Sequence, residues 1–229
     1  CHAAHGSNVA GMLNNRMETV CYSCHIDAEI KFTKTNTHQP VRNGQCDACH
    51  RSHGAEKEDL LVRAADDPEM CRACHADLMQ PAEKGTHHPA FLAGECLKCH
   101  DVHGSNIPGM IVRKQGFLCS ACHDMDPGPE IKDVKSRHDP VVDGQCTACH
   151  SPHKAKLNDL LLAVYPDLCL ACHTDLRDAL NPLQKTGSTA AAPVPATGDS
   201  PVAPQVGRFI HAPEDITNCG LCHRPHDAA

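Results

Sequence analysis

Eight times in this chain two cysteines stand three positions apart with a histidine immediately after the second: Cys21-Tyr-Ser-Cys24-His25, Cys46-Asp-Ala-Cys49-His50, Cys71-Arg-Ala-Cys74-His75, Cys96-Leu-Lys-Cys99-His100, Cys119-Ser-Ala-Cys122-His123, Cys146-Thr-Ala-Cys149-His150, Cys169-Leu-Ala-Cys172-His173 and Cys219-Gly-Leu-Cys222-His223. These strings use 16 of the 17 cysteines. Such spacing can start a disulfide framework, a zinc array or the covalent attachment of a cofactor. Zinc ribbons need C-x-x-C pairs but make no demand on the next residue, and neither do disulfides. Here histidine follows every time. Thioether bonds from two cysteines to the vinyl groups of one haem, with the next imidazole under the iron, require all three residue types in this order. The strings therefore read as attachment sites for haem c, with the cysteines as thioether positions and the histidines as proximal ligands.

The amino-terminal run Cys1-His2-Ala-Ala-His5-Gly-Ser-Asn matches Cys99-His100-Asp-Val-His103-Gly-Ser-Asn at every motif position. The match continues into Gly11-Met12-Leu13 against Gly109-Met110-Ile111. Cys1 then reads as the second cysteine of a ninth motif, with His2 as its ligand, and a longer parent chain is expected. A lipid-modified cysteine at the start of a mature lipoprotein is the competing reading, and it leaves the matching sequence unexplained.

The motifs alternate between two kinds, so the true repeat is a pair about 50 residues long. In the His-rich kind a second histidine follows three positions after the first: His53, His103, His153 and His226, with His5 in the ninth motif. In the other kind the first cysteine follows an apolar residue, and Asp27, Asp77 and Asp175 lie two places after the motif histidine. Those aspartates fit either a cap on a short following helix or a solvated surface. Upstream of each complete His-rich motif lies an H-x-P element: His38-Gln-Pro40, His87-His88-Pro89, His138-Asp-Pro140 and His211-Ala-Pro213. Nine patterned histidines (His5, His53, His103, His153, His226, His38, His87, His138 and His211) thus match nine haems as sixth ligands. His88 is the spare, although its spacing to the following cysteine is the commoner one and it can exchange roles with His87. A plus-three histidine shares its short segment with the proximal ligand, so it can hardly reach over the opposite face of the same porphyrin and must serve a neighbouring haem. Which neighbour is open, as is the direction in which the H-x-P histidines reach.

The elements that position these groups must be small. With no Trp, 2 Tyr and 4 Phe, the chain lacks the large hydrophobes that fill a core. The stretches between motifs are rich in Pro, Gly, Asp and Lys, which predicts short α-helices and loops with little or no sheet. The six methionines read as packing residues rather than iron ligands, because Met12 and Met110 align with Leu60-Leu61 and Leu160-Leu161. Residues 1–229 read as one domain of about four paired repeats. Thr186 to Gly207, built of Ala, Pro, Thr and Ser, reads as an inserted linker or surface loop, with a domain boundary as the alternative. A net charge of -7 excludes a basic nucleic-acid surface, and no apolar run is long enough to cross a bilayer.

On these motifs the chain resembles the multihaem c-type cytochromes with paired C-x-x-C-H motifs, a group of periplasmic carriers, trans-outer-membrane conduits and extracellular cytochrome filaments. The resemblance covers nearly the whole chain outside Thr186 to Gly207. It implies a fold organised around a chain of closely packed haems and maturation outside the cytoplasm, in the periplasm, at the cell surface or beyond it. The match of nine patterned histidines to nine haems points in turn to electron transfer between six-coordinate, bis-histidine irons rather than enzymatic turnover. The partners the resemblance implies are other redox proteins, further copies of the chain or an outer-membrane complex. The rival class is the electron-supplying part of a multihaem reductase of nitrite, hydroxylamine or a sulfur oxyanion. Such enzymes often mark their catalytic haem with Lys in place of the motif histidine, and no C-x-x-C-K occurs here.

Overall fold

The computed structural model describes residues 1–80, 85–124, 138–177, 218–221 and 225–226. The segment 186–207, His211, Cys222 and His223 lie outside the described residues. Within them the chain is short helices and loops with two sheets of two strands each. The longest helix, Ile26–Phe32, has 7 residues. Helices of this length do not hold in water on propensity alone, so tertiary packing must hold them.

Each motif kind has its own local form. In the less His-rich kind the first cysteine lies in a short helix: Met17–Tyr22, Glu69–Arg72, Gln115–Cys119 or Asp167–Leu170. A second helix follows in Ile26–Phe32 and Ala76–Met79, capped by His25 and His75. Asp27 and Asp77 are therefore in the first turn and not at the cap, and no side chain bonds the helix end. Their carboxylates act there on the helix dipole.

Before three of the His-rich motifs a four-residue helix begins directly after a histidine: Gln39–Arg42 after His38, Pro89–Leu92 after His88 and Asp139–Val142 after His138. Proline occupies the first turn of all three, where its missing N–H has no partner to lose. The helix after His88 ends on Gly94, whose φ of 75° is left-handed. A Cβ at Gly94 would lie 2.5 Å from the Cβ of Pro68, and one at Gly144 would lie 2.7 Å from the Cα of Gly116. These glycines let each His-rich motif press against the motif before it.

After four of the His-rich motifs the chain folds back on itself. Antiparallel bridges join His2 to Leu13, His50 to Leu61, His100 to Ile111 and His150 to Leu161. Two successive left-handed residues turn each loop: Gly11 and Met12, Asp59 and Leu60, Gly109 and Met110, Asp159 and Leu160. In the second loop the Leu61 amide donates to the Glu58 carbonyl at 3.1 Å, closing a turn of the type I′ kind. Met12, Leu60, Met110 and Leu160, at φ between 52° and 58°, hold a conformation that costs a side-chain-bearing residue about 1 kcal/mol.

The repeats are joined by strand pairs. Strands β1 (Asn36–Thr37) and β3 (Gly104–Ser105) are antiparallel, as are β2 (Thr86–His87) and β4 (Lys154–Ala155). The His38 amide donates to the His103 carbonyl at 3.3 Å, and the His88 amide to the His153 carbonyl at 2.9 Å. Among the described residues Leu170 is the one buried hydrophobic side chain, while Ile30, Leu92 and Phe117 are 70–72% exposed. Protein side chains alone thus make almost no core, and the apolar faces they leave open suit a large flat apolar group.

Candidate haem sites

In the motif turns the amide of the motif histidine donates to the carbonyl of the first cysteine. The distance is 2.9 Å at His25, His50, His75, His100, His123 and His173, and 3.0 Å at His150. This is one α-helical turn, which brings residues i, i+3 and i+4 to the same side. Two thiols and an imidazole therefore converge on one edge and one face of whatever lies against the turn, as thioether-bound haem requires.

The patterned histidines come together in pairs from different motifs. His53 faces His2 with ring centres 5.8 Å apart, His103 faces His50 at 6.3 Å, His153 faces His100 at 5.9 Å and His226 faces His150 at 5.9 Å. Each of these four plus-three histidines thus stands opposite the motif histidine of the preceding His-rich motif. In the second set His38 faces His75 at 6.1 Å, His88 faces His123 at 5.8 Å and His138 faces His173 at 6.0 Å. The histidine that precedes a His-rich motif therefore reaches forward to the next motif of the other kind. His87, singled out by its place in H-x-P, lies instead in β2 in register with Lys154. It is His88 that faces the motif histidine, because the register is set by the helix it caps and not by the proline. Proline is accepted at either of the first two helical positions, so H-x-P and H-P satisfy the same turn. Among the described residues no ring faces His5 or His25 in this way.

The spacing fits a haem iron. A metal–imidazole bond of about 2 Å on each side, plus about 1 Å from each nitrogen to its ring centre, sets the centres about 6 Å apart. Among the described residues no three His, Cys, Asp or Glu side chains cluster as a metal site would need. The histidines meet in twos, which suits a metal whose four other ligands come from a macrocycle.

Several contacts fix the rings. The Nδ1 atoms of His2, His50 and His100 lie 2.8 Å from the carbonyl oxygens of Gly11, Asp59 and Gly109, and that of His150 lies 2.7 Å from Asp159. The proton must then sit on Nδ1, leaving the Nε2 lone pair for a metal. Phe32 stacks on His103 at 3.9 Å, and Phe91 lies 5.0 Å from His153. Burial, followed by neighbouring imidazoles, holds His38, His88 and His153 below the ordinary histidine range. His103 is lowered chiefly by burial, against the opposing pull of Asp101. Neutral imidazole is the form that binds a metal. The carbonyl partners of the four motif histidines were missed by sequence reasoning. Their signal is the Gly or Asp that recurs nine residues after each of those histidines.

The cysteines of successive motifs lie near enough to shift one another electrostatically. Burial, then the thiol of the adjoining motif, push Cys46 up to about 11 beside Cys21, Cys71 beside Cys96, Cys119 beside Cys146 and Cys169 beside Cys219. The second cysteines make the alternate junctions: after burial, Cys74 raises Cys49, Cys122 raises Cys99 and Cys172 raises Cys149. Every motif from Cys21 to Cys219 thus adjoins the next through a cysteine.

The family model described as a doubled CXXCH motif matches residues 1–29, 38–80, 88–128 and 138–178, and its first unit begins at Cys1. No curated protein matches the chain.

Proposed function

The chain belongs to the doubled CXXCH motif family, which makes it a multihaem c-type cytochrome with covalently bound haem c, and we propose that it carries electrons along eight to nine bis-histidine haems held in sequence order. The observation that carries this reading is the set of seven facing histidine pairs, all with ring centres 5.8–6.3 Å apart. When bound, haem supplies an iron that alternates between ferric and ferrous states. The paired histidines leave such an iron no open position for substrate and hold its geometry nearly constant on reduction. That combination suits relay of electrons and not turnover.

In this reading seven of the distal ligands are His53, His103, His153 and His226 for the His-rich motifs and His38, His88 and His138 for the others, with His88 taking the role that H-x-P alone gives to His87, and His5 and His211 are the patterned histidines that remain for the haems on His25 and His223. The proximity of cysteines in successive motifs supports the sequence order of the sites, because the thioether edge of each haem would lie near that of the next. The whole chain acts as one electron-transfer domain outside the cytoplasm, where haem c is attached, passing electrons between redox partners or to an extracellular acceptor. The measurement that tests it is carbon monoxide binding to the fully reduced protein. A low-spin spectrum unchanged by the gas is expected; substantial binding would show vacant irons and favour the reductase reading.

A further inference from the structure

The two motif kinds differ in what holds the ring of the motif histidine. His2, His50, His100 and His150 each have Nδ1 within 2.8 Å of a backbone carbonyl nine residues on. Among the described residues no such bond reaches His25, His75, His123 or His173, and the nearest analogue is the Val102 carbonyl beside the facing ring of His38. In all four loops the carbonyl is aimed by two consecutive left-handed residues, the second always Met or Leu. A bulky residue kept in that conformation four times over marks a geometry the surroundings enforce.

We propose that this left-handed pair is a tuning element that divides the haems into two redox classes, those on His2, His50, His100 and His150 lying at lower potential than those on His75, His123 and His173. The inference rests on the bis-histidine reading. A carbonyl that accepts the Nδ1 proton shifts electron density to Nε2 and makes the imidazole a stronger donor, which stabilises ferric over ferrous iron. A solvated imidazole lacks that fixed partner. Since the motifs alternate along the chain, so do the two classes.

Asp59 is the position to test in the full, haem-loaded chain. Proline there cannot adopt the φ of 53° that Asp59 holds, so Asp59→Pro must move the carbonyl away from His50. Asp59→Gly keeps the turn, as Gly11 and Gly109 do. Spectroelectrochemical titration of the unaltered protein is expected to resolve a lower and a higher group, and Asp59→Gly should reproduce it. Asp59→Pro should move one haem out of the lower group by about tenfold in its reduced-to-oxidised ratio at fixed potential, about 59 mV for one electron. A single unsplit group in the unaltered protein overturns the proposal. So does an Asp59→Pro titration that superimposes on it with every haem attached and low-spin. If Asp59→Pro does not mature, the titration of the unaltered protein decides. High-spin iron in the unaltered protein would instead count against bis-histidine ligation itself.

Discussion

The ring of His103 stands 6.3 Å from that of His50, a full repeat earlier, while its own motif histidine His100 faces His153. The short turn that carries His100 and His103 therefore reaches two different sites. Each His-rich motif is a cross-link between repeats, and the backbone bond from His38 to His103 ties the facing rings of successive sites together.

It follows that His103→Ala should open the iron on Cys46 and Cys49 and leave the one on Cys96 and Cys99 six-coordinate. Reduced His103→Ala protein should bind about one equivalent of carbon monoxide, with one haem turning high-spin. Electron paramagnetic resonance and gas titration check this, and loss of ligation at the Cys96 haem would refute the cross-link.

His87 and His88 should part company in the same assay. His88→Ala is expected to convert the haem on Cys119 and Cys122 to a high-spin form. His87→Ala should keep every haem low-spin. Spin-state counting of the two variants separates them, and the opposite pattern would return the role to H-x-P.

Gly94→Ala should loosen the junction between Cys71 and Cys96. The new methyl meets Pro68 at 2.5 Å and the backbone stays at a φ of 75°. Overpacking of this kind costs about 1–3 kcal/mol, so the unfolding midpoint should fall. An unchanged midpoint would show that the two motifs are not pressed together there.

Asn106→Ala removes the oxygen that accepts from both the amide and the hydroxyl of Thr35, at 3.1 and 3.3 Å, beside the β1–β3 pair. Stability should fall by about 1 kcal/mol with every haem still six-coordinate. Chemical denaturation followed at the Soret band measures both, and a loss of ligation would mean that this brace positions His38 or His103 directly.

The C-x-x-C-H strings alone established the cofactor and its covalent attachment, because thioether and proximal-ligand chemistry is confined to residues i, i+3 and i+4 of a single turn. Repeat length, the two motif kinds and the shortage of large hydrophobes were legible for the same reason: they are local or compositional. Of the two readings of Asp27 and Asp77 the cap fails, since a histidine, poor as a cap, still begins each helix when the turn before it is fixed by two cysteines, and both side chains are exposed, as the solvated reading has it.

Tertiary structure alone decided which histidines face each other. His38 meets His75 and His103 meets His50 across long stretches of chain, and nothing in the spacing of either ring encodes its partner. The same holds for the choice of His88 over His87, which turns on where a four-residue helix starts. Spacing dictates what one turn of chain can bind; only the packing of one repeat against the next, through strand pairs and close-packed glycines, dictates which turn completes the site.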